Sequence, residues 1–200
     1  MSNILIKTYP APPINTKEVL RYAGGNNDEN TIKLLKACID EAVNTLAYKV
    51  CYCELPVNID NDICDFNAFC VKSQNLATNL KGCNKVIVMG ATVGIALDRL
   101  IAKYSRISPA KALLMQSLGA ERIEALCDSF CEDTKKTLKI SLKPRFSAGY
   151  GDLPLDTQKQ IFKLLNLSKN IGLTLNDSML MSPSKSVTAF IGIQEVQNEL

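Results

Sequence analysis

Residues 85–107 read "KVIVMGATVGIALDRLIAKYSRI", and the change of pattern inside them decides the fold. Val86 to Met89 are apolar without a break, as in a strand covered on both faces. Gly90 and Gly94 mark a turn, and from Ile95 the apolar residues recur at helical spacing. A buried strand that turns into an amphipathic helix implies a sheet with helices layered against it. The G-x-x-x-G of this connection lacks the third glycine and distal acidic residue of a dinucleotide fingerprint. It also lacks the Gly-Lys-Ser/Thr of a phosphate loop. Its glycines read as sites of close helix packing, and Asp98-Arg99 as a surface pair.

The flanking chain extends the pattern. Upstream, "DENTIKLLKACIDEAVNTL" (28–46) places Ile32, Leu35, Cys38, Ile39, Ala42, Val43 and Leu46 on one helical face after a capping start. "NTKEVLRYAG" predicts a shorter helix, with Asn15 or Thr16 as N-cap and Gly24-Gly25 as the stop. "AYKVCYCELPV" (47–57) alternates and is rich in β-formers, so it predicts a strand. A turn, a strand near Phe69–Val71 and a short helix ending at Gly82 follow. Downstream, Ser108 is the expected N-cap and Pro109 the first residue of a long helix. "KISLKPRFSAGYG" predicts a strand and turn, and residues 154–172 a helix stopped by Gly172. The tail holds two short strand candidates, around Met179 and Val187–Ile193, joined through Pro183. Pro10, Pro12 and Pro13 make residues 1–15 an extended arm. The expected fold is α+β: a single compact domain with an antiparallel or mixed sheet and several flanking helices. The arm spans 1–18 and the domain 19–200.

Composition narrows the chemistry. Of 200 residues, 46% are hydrophobic and 22% charged, ordinary for a globular protein. A net charge of +3 without a dense basic run gives no reason to expect nucleic acid. The longest apolar run is too short to span a bilayer, and the start resembles no signal peptide, so a cytoplasmic protein without membrane contact is expected. Eight cysteines should then stay reduced. They include no C-x-x-C pair, and the chain has no histidine to complete a mixed zinc set, so no metal site is expected. The missing histidines also exclude Ser-His or Cys-His nucleophiles and histidine bases. No catalytic side chain is assigned.

Chemistry concentrates at "RFSAGYGDLPL" (145–155). The Arg145 guanidinium offers a planar fork suited to a carboxylate or phosphate. Gly149 and Gly151 let the backbone approach a ligand, and Tyr150 adds a flat face with a polar tip. The same residues also suit a tight strand-to-helix turn whose arginine makes a surface salt bridge. Glu121, Glu124 and Asp128 share one helical face, which is either solvated or turned towards Arg145 to receive an ammonium group.

The stretch from Arg145 to Ile193 resembles the activation domain of vitamin B12-dependent methionine synthase, in which an R-x-x-x-G-Y turn before a helix binds S-adenosylmethionine. Continuation of the turn as G-D-L-P-L, with "GATVGIALDRLIAKYSRISPAKALLMQSLGAERIEALCD", is most similar to free-standing versions of that domain. The likeness runs from about Val19 to Ile193. It implies that Arg145 grips the S-adenosylmethionine carboxylate, that Ser147 and Gly149 make backbone contacts, and that Tyr150 lines the pocket. Glu124 matches the family's upstream helix carboxylate, with Glu121 as the alternative register. The family's N-terminal aspartate motif has no match in residues 1–40, and its C-terminal tyrosine extension is not expected. The implied function is reactivation of a cobalamin-dependent methionine synthase or related corrinoid methyltransferase, as a component and not a complete enzyme. The partner, a corrinoid protein or split methionine synthase, carries the cobalamin, and flavodoxin or ferredoxin supplies the electron. The alternative is a docking module that binds a corrinoid protein without S-adenosylmethionine. An independent methyltransferase is disfavoured, because the usual nucleotide-binding sheet motif is missing.

Overall fold

In the computed structural model, which describes residues 3–25 and 27–194, the apolar run at 85–92 forms the middle strand of a five-stranded sheet. The strands are β1 (Leu5–Tyr9), β2 (Tyr48–Pro56), β6 (Lys85–Thr92), β7 (Ser141–Leu142) and β10 (Ser186–Gln194), in the order β1-β2-β6-β10-β7. Every neighbouring pair is antiparallel. A three-stranded sheet of β3 (Asn58–Asp60), β4 (Ile63–Asp65) and β5 (Cys70–Lys72), and the pair β8 (Thr174–Leu175) and β9 (Met181–Ser182), complete the strands.

Alternation along β6 explains its unbroken apolar run. Val86 and Val88 pack on one side with Cys51, Cys53 and Phe190 against Leu76, Ile161, Leu165 and Leu167. These last residues belong to or adjoin α3 (Gln74–Asn79), α6 (Thr157–Leu165) and α7 (Leu167–Ile171). Ile87, Met89 and Ala91 face the other way, with Tyr48, Val50 and Tyr52, against Ile123, Leu126, Cys127 and Phe130 of α5 (Pro109–Leu138). Both faces of the central strand are therefore dry. Gly90 is the close-packing glycine the sequence suggested: a Cβ there would lie 2.7 Å from Leu167 Cδ2.

Helix α5 has 30 residues, so it is about 45 Å long. Its second half lies on the sheet. Its first half packs with α1 (Thr16–Tyr22), α2 (Glu29–Ala42) and α4 (Ala96–Ile107) in a separate helical core. Asn15 caps α1 and Asp28 caps α2 through their side chains.

The structure revises five details. The arm is extended, but Leu5–Tyr9 of it pair with β2 as an edge strand. Ser108 occupies the N-cap position of α5 without a capping side-chain bond. The helix expected over 154–172 is two helices, because Asn166 takes a left-handed φ of 46°, which asparagine tolerates. Met179, at φ 61°, lies in a turn and not in a strand, and the final strand is a nine-residue member of the main sheet. Portions of the expected arm (1–2) and tail (195–200) lie outside the described residues.

Candidate functional site

Strand β7 covers only one end of β10, pairing Leu142 with Ile193 and Ser141 with Gln194. Further along, Phe146 and Phe190 exchange main-chain hydrogen bonds of 2.9 and 2.8 Å, and the chain then swings away into the 147–153 turn. In an antiparallel ladder the main-chain groups alternate between sides, so Thr188 presents its N–H and C=O to the side that Phe146 occupies opposite Phe190. The gap between this edge, the turn and α5 is an open cleft of about 980 Å³.

Arg145 forms one wall. Its Nη1 donates to Asp128 Oδ1 at 2.7 Å and its Nη2 to Glu124 Oε2 at 2.6 Å. The arginine side chain is 22% exposed, against 48% for Glu124 and 71% for Asp128, so the carboxylates reach from the cleft rim to a half-sunken guanidinium. Burial alone would lower the Arg145 pKa; the hydrogen bond to Asp128 and the nearby negative groups outweigh it and raise it. Below them burial pushes the Cys127 thiol up to about 12 and raises Cys131. Such thiols are protonated at neutral pH and are poor nucleophiles.

The turn is held from behind. Asp152 accepts from Ser73 Oγ at 2.5 Å and from the N–H groups of Gln74 (2.7 Å) and Asn75 (3.2 Å), capping α3 from a distant part of the chain. These bonds hold its carboxyl below the ordinary aspartate range, Ser73 foremost. Gly151 has φ +54°, and a Cβ there would collide with Asn75 Nδ2. The G-D that follows the tyrosine therefore anchors the turn to α3. The Gly149 N–H donates to Leu153 O at 3.0 Å and that of Tyr150 to Ser147 O at 3.1 Å, closing the loop on itself.

Of the residues singled out in the sequence, Glu124, Arg145, Ser147 and Tyr150 line this one cleft, and Tyr150 is 70% exposed at it. Gly149 is not among the lining residues. Glu121 does not line this cleft: it accepts from Asn15 N–H and from its neighbour Arg122, facing the N-terminal segment. Of the two glutamates, Glu124 is the one that lines it. The sequence places Asp128 on the helix face offered to Arg145, where it is found, but does not mark Gln158 as a lining residue. The first was signalled by its spacing of four from Glu124; the second carried no local signal.

All eight cysteines are free thiols, and no group of three or more His, Cys, Asp or Glu among the described residues could hold a metal. Among the described residues no helix is long and apolar enough to cross a membrane.

A helical layer on each face of an antiparallel sheet, with a cleft at an uncovered strand edge, defines the class of architecture. The family model "Vitamin B12 dependent methionine synthase, activation domain" matches residues 76–198. The chain belongs to that family. It superposes on a crystal structure of the MetH reactivation domain bound to AdoHcy with a TM-score of 0.74 and 14% identity. The superposition covers 99% of this chain and 80% of the other. At that identity the likeness concerns the fold. No match was found among the curated proteins.

Proposed function

We propose that this chain binds S-adenosylmethionine in the Arg145 cleft and reactivates a cobalamin-dependent methionine synthase or related corrinoid methyltransferase in trans, in the cytoplasm. Residues 19–200 would form the activation unit, with 1–18 as its arm. The observation that carries the reading is the Glu124–Arg145–Asp128 cluster, which combines a guanidinium with two carboxylates at one side of the cleft. A zwitterionic amino acid needs that pairing of charges: the guanidinium takes the carboxylate and the acidic groups take the ammonium. Only two of the five guanidinium hydrogens are committed to those carboxylates, which leaves donors for the ligand. The cleft volume, about 980 Å³, is at the upper end of the range for small-ligand sites. The family and the AdoHcy-bound structural neighbour support the same ligand class.

S-adenosylmethionine would supply an electrophilic methyl group, and the acceptor, reduced cobalamin, would be carried by the corrinoid partner. Flavodoxin or ferredoxin would supply the electron that makes the acceptor. The residues of this chain bind and orient: Arg145 and Glu124 fix the amino-acid end, and Ser147 and Tyr150 border the rest. Such a role needs proximity and no general base, in keeping with a chain that contains no histidine.

Isothermal titration with S-adenosylmethionine tests the proposal. Arg145→Ala is expected to weaken binding by at least ~2 kcal/mol, the scale of a charge-assisted contact. Equal affinities for wild type and variant would remove Arg145 from the site. A second reading, a docking module that has lost the ligand, draws on the engagement of both Arg145 amino groups by carboxylates and of the Gly149 N–H by Leu153. It predicts no heat with S-adenosylmethionine and unchanged capture of a corrinoid protein with or without it.

A further inference from the structure

Gln158 lies in the first turn of α6 and borders the cleft, although the residue is only 6% exposed. Its side-chain Oε1 is sealed from solvent and meets no hydrogen-bond partner among the described residues. A buried acceptor in that state is costly, and a methionine would fill similar space without the cost. The surroundings indicate what would satisfy it. All the charge on the cleft lining comes from α5 and from Lys143 and Arg145, whereas α6, β9 and β10 contribute Gln158, Met181, Ser186, Val187 and Thr188, none of them charged. The same side carries the uncovered main-chain edge of Thr188. A neutral group bearing N–H or O–H donors suits this wall, and a second ion does not.

We propose that Gln158 reads the nucleoside part of the ligand, its Oε1 accepting a hydrogen bond from the exocyclic amine or a ribose hydroxyl while the Arg145 cluster holds the amino-acid end. This rests on the binding reading given above. It makes Gln158 a specificity-determining residue in a helix turn with no local ligand motif.

The test joins calorimetry with thermal denaturation of the full chain, using wild type, Gln158→Met and Arg145→Ala. Gln158→Met should leave the Tm of the ligand-free chain unchanged or raise it, because an unsatisfied acceptor is removed. It should weaken S-adenosylmethionine binding at least tenfold. These effects have opposite signs, which a merely structural role would not produce. Three analogues then identify the donor: the inosyl form, in which a carbonyl replaces the amine, and the 2′-deoxy and 3′-deoxy forms. The analogue lacking the donor should lose about tenfold against wild type and nothing further against Gln158→Met. A Tm that falls in Gln158→Met overturns the proposal, since the amide then had a partner in the free chain. So does undiminished affinity, or equal losses for all three analogues. Binding that depends on Arg145 and not on Gln158 overturns this inference alone. A wild type that does not bind overturns it together with the reading on which it rests.

Discussion

Glu121→Ala is the substitution whose cost follows most directly from the structure. Arg122 has no exposed surface, and its charge is matched by Glu121, which takes hydrogen bonds from Nε and Nη2. Its remaining bonds go to the main-chain carbonyls of Pro12 and Pro13, so the pair buckles the N-terminal segment onto α5. Removing the carboxylate strands a buried guanidinium, for which a loss of roughly 3–5 kcal/mol is expected. The Asn15 N–H also loses its acceptor, adding about 1 kcal/mol. With some relaxation a net loss of about 4 kcal/mol is expected, equivalent to roughly 10 °C in Tm for a chain of this size. Urea unfolding followed by circular dichroism measures it. The double variant Glu121→Leu/Arg122→Met should regain most of the loss, because it buries no charge, but not all, since Pro12, Pro13 and Asn15 keep unpaired groups. A Glu121→Ala variant within 1 kcal/mol of wild type would refute the reasoning and mean that the segment is detached in solution.

Two further outcomes are open to measurement. Gly90→Ala puts a Cβ against the buried Leu167 between β6 and α7, and overpacking of this kind should cost about 1–3 kcal/mol by urea denaturation. Glu41 accepts from Lys111, Tyr104 and Lys103, and these bonds, Lys111 foremost, lower its pKa from 4.5 to about 2. A carboxyl depressed in the folded state stabilises above its unfolded pKa, and that share is lost as pH falls from about 4.5 through about 2. Urea midpoints should therefore decline more steeply over that window for wild type than for Glu41→Gln.

The most legible parts of the sequence were those in which one period persists. Helix α2 and strands β2 and β6 each repeat their pattern long enough to outweigh individual residues. Strand β10 extends one residue beyond the expected Val187–Ile193 at each end, because Ser186 and Gln194 look polar, although Ser186 is buried and donates from its Oγ to Thr92 Oγ1 at 2.9 Å. The break at Asn166 depends on a single backbone angle and leaves no periodic trace. At the cleft, Arg145 and Tyr150 could be read from residue type alone. Which glutamate faces Arg145 could not, because Glu121 and Glu124 both suit the helix and only tertiary partners separate them. The purpose of Asp152 was hidden for the same reason, its partners being Ser73, Gln74 and Asn75.

The sheet order has a consequence for where this protein could be cut. The family match begins at residue 76, so it takes in β6, β7 and β10 but leaves out β1 and β2. A fragment trimmed to those limits would carry β6 as a bare edge eight residues long, apolar on both faces, and edges of that kind recruit other chains. It would also hold Arg122 without the Pro12 and Pro13 carbonyls that receive its hydrogens. The stretch most recognisable as a relative thus relies on the early part of the chain to cover its open edge and to receive the Arg122 hydrogens.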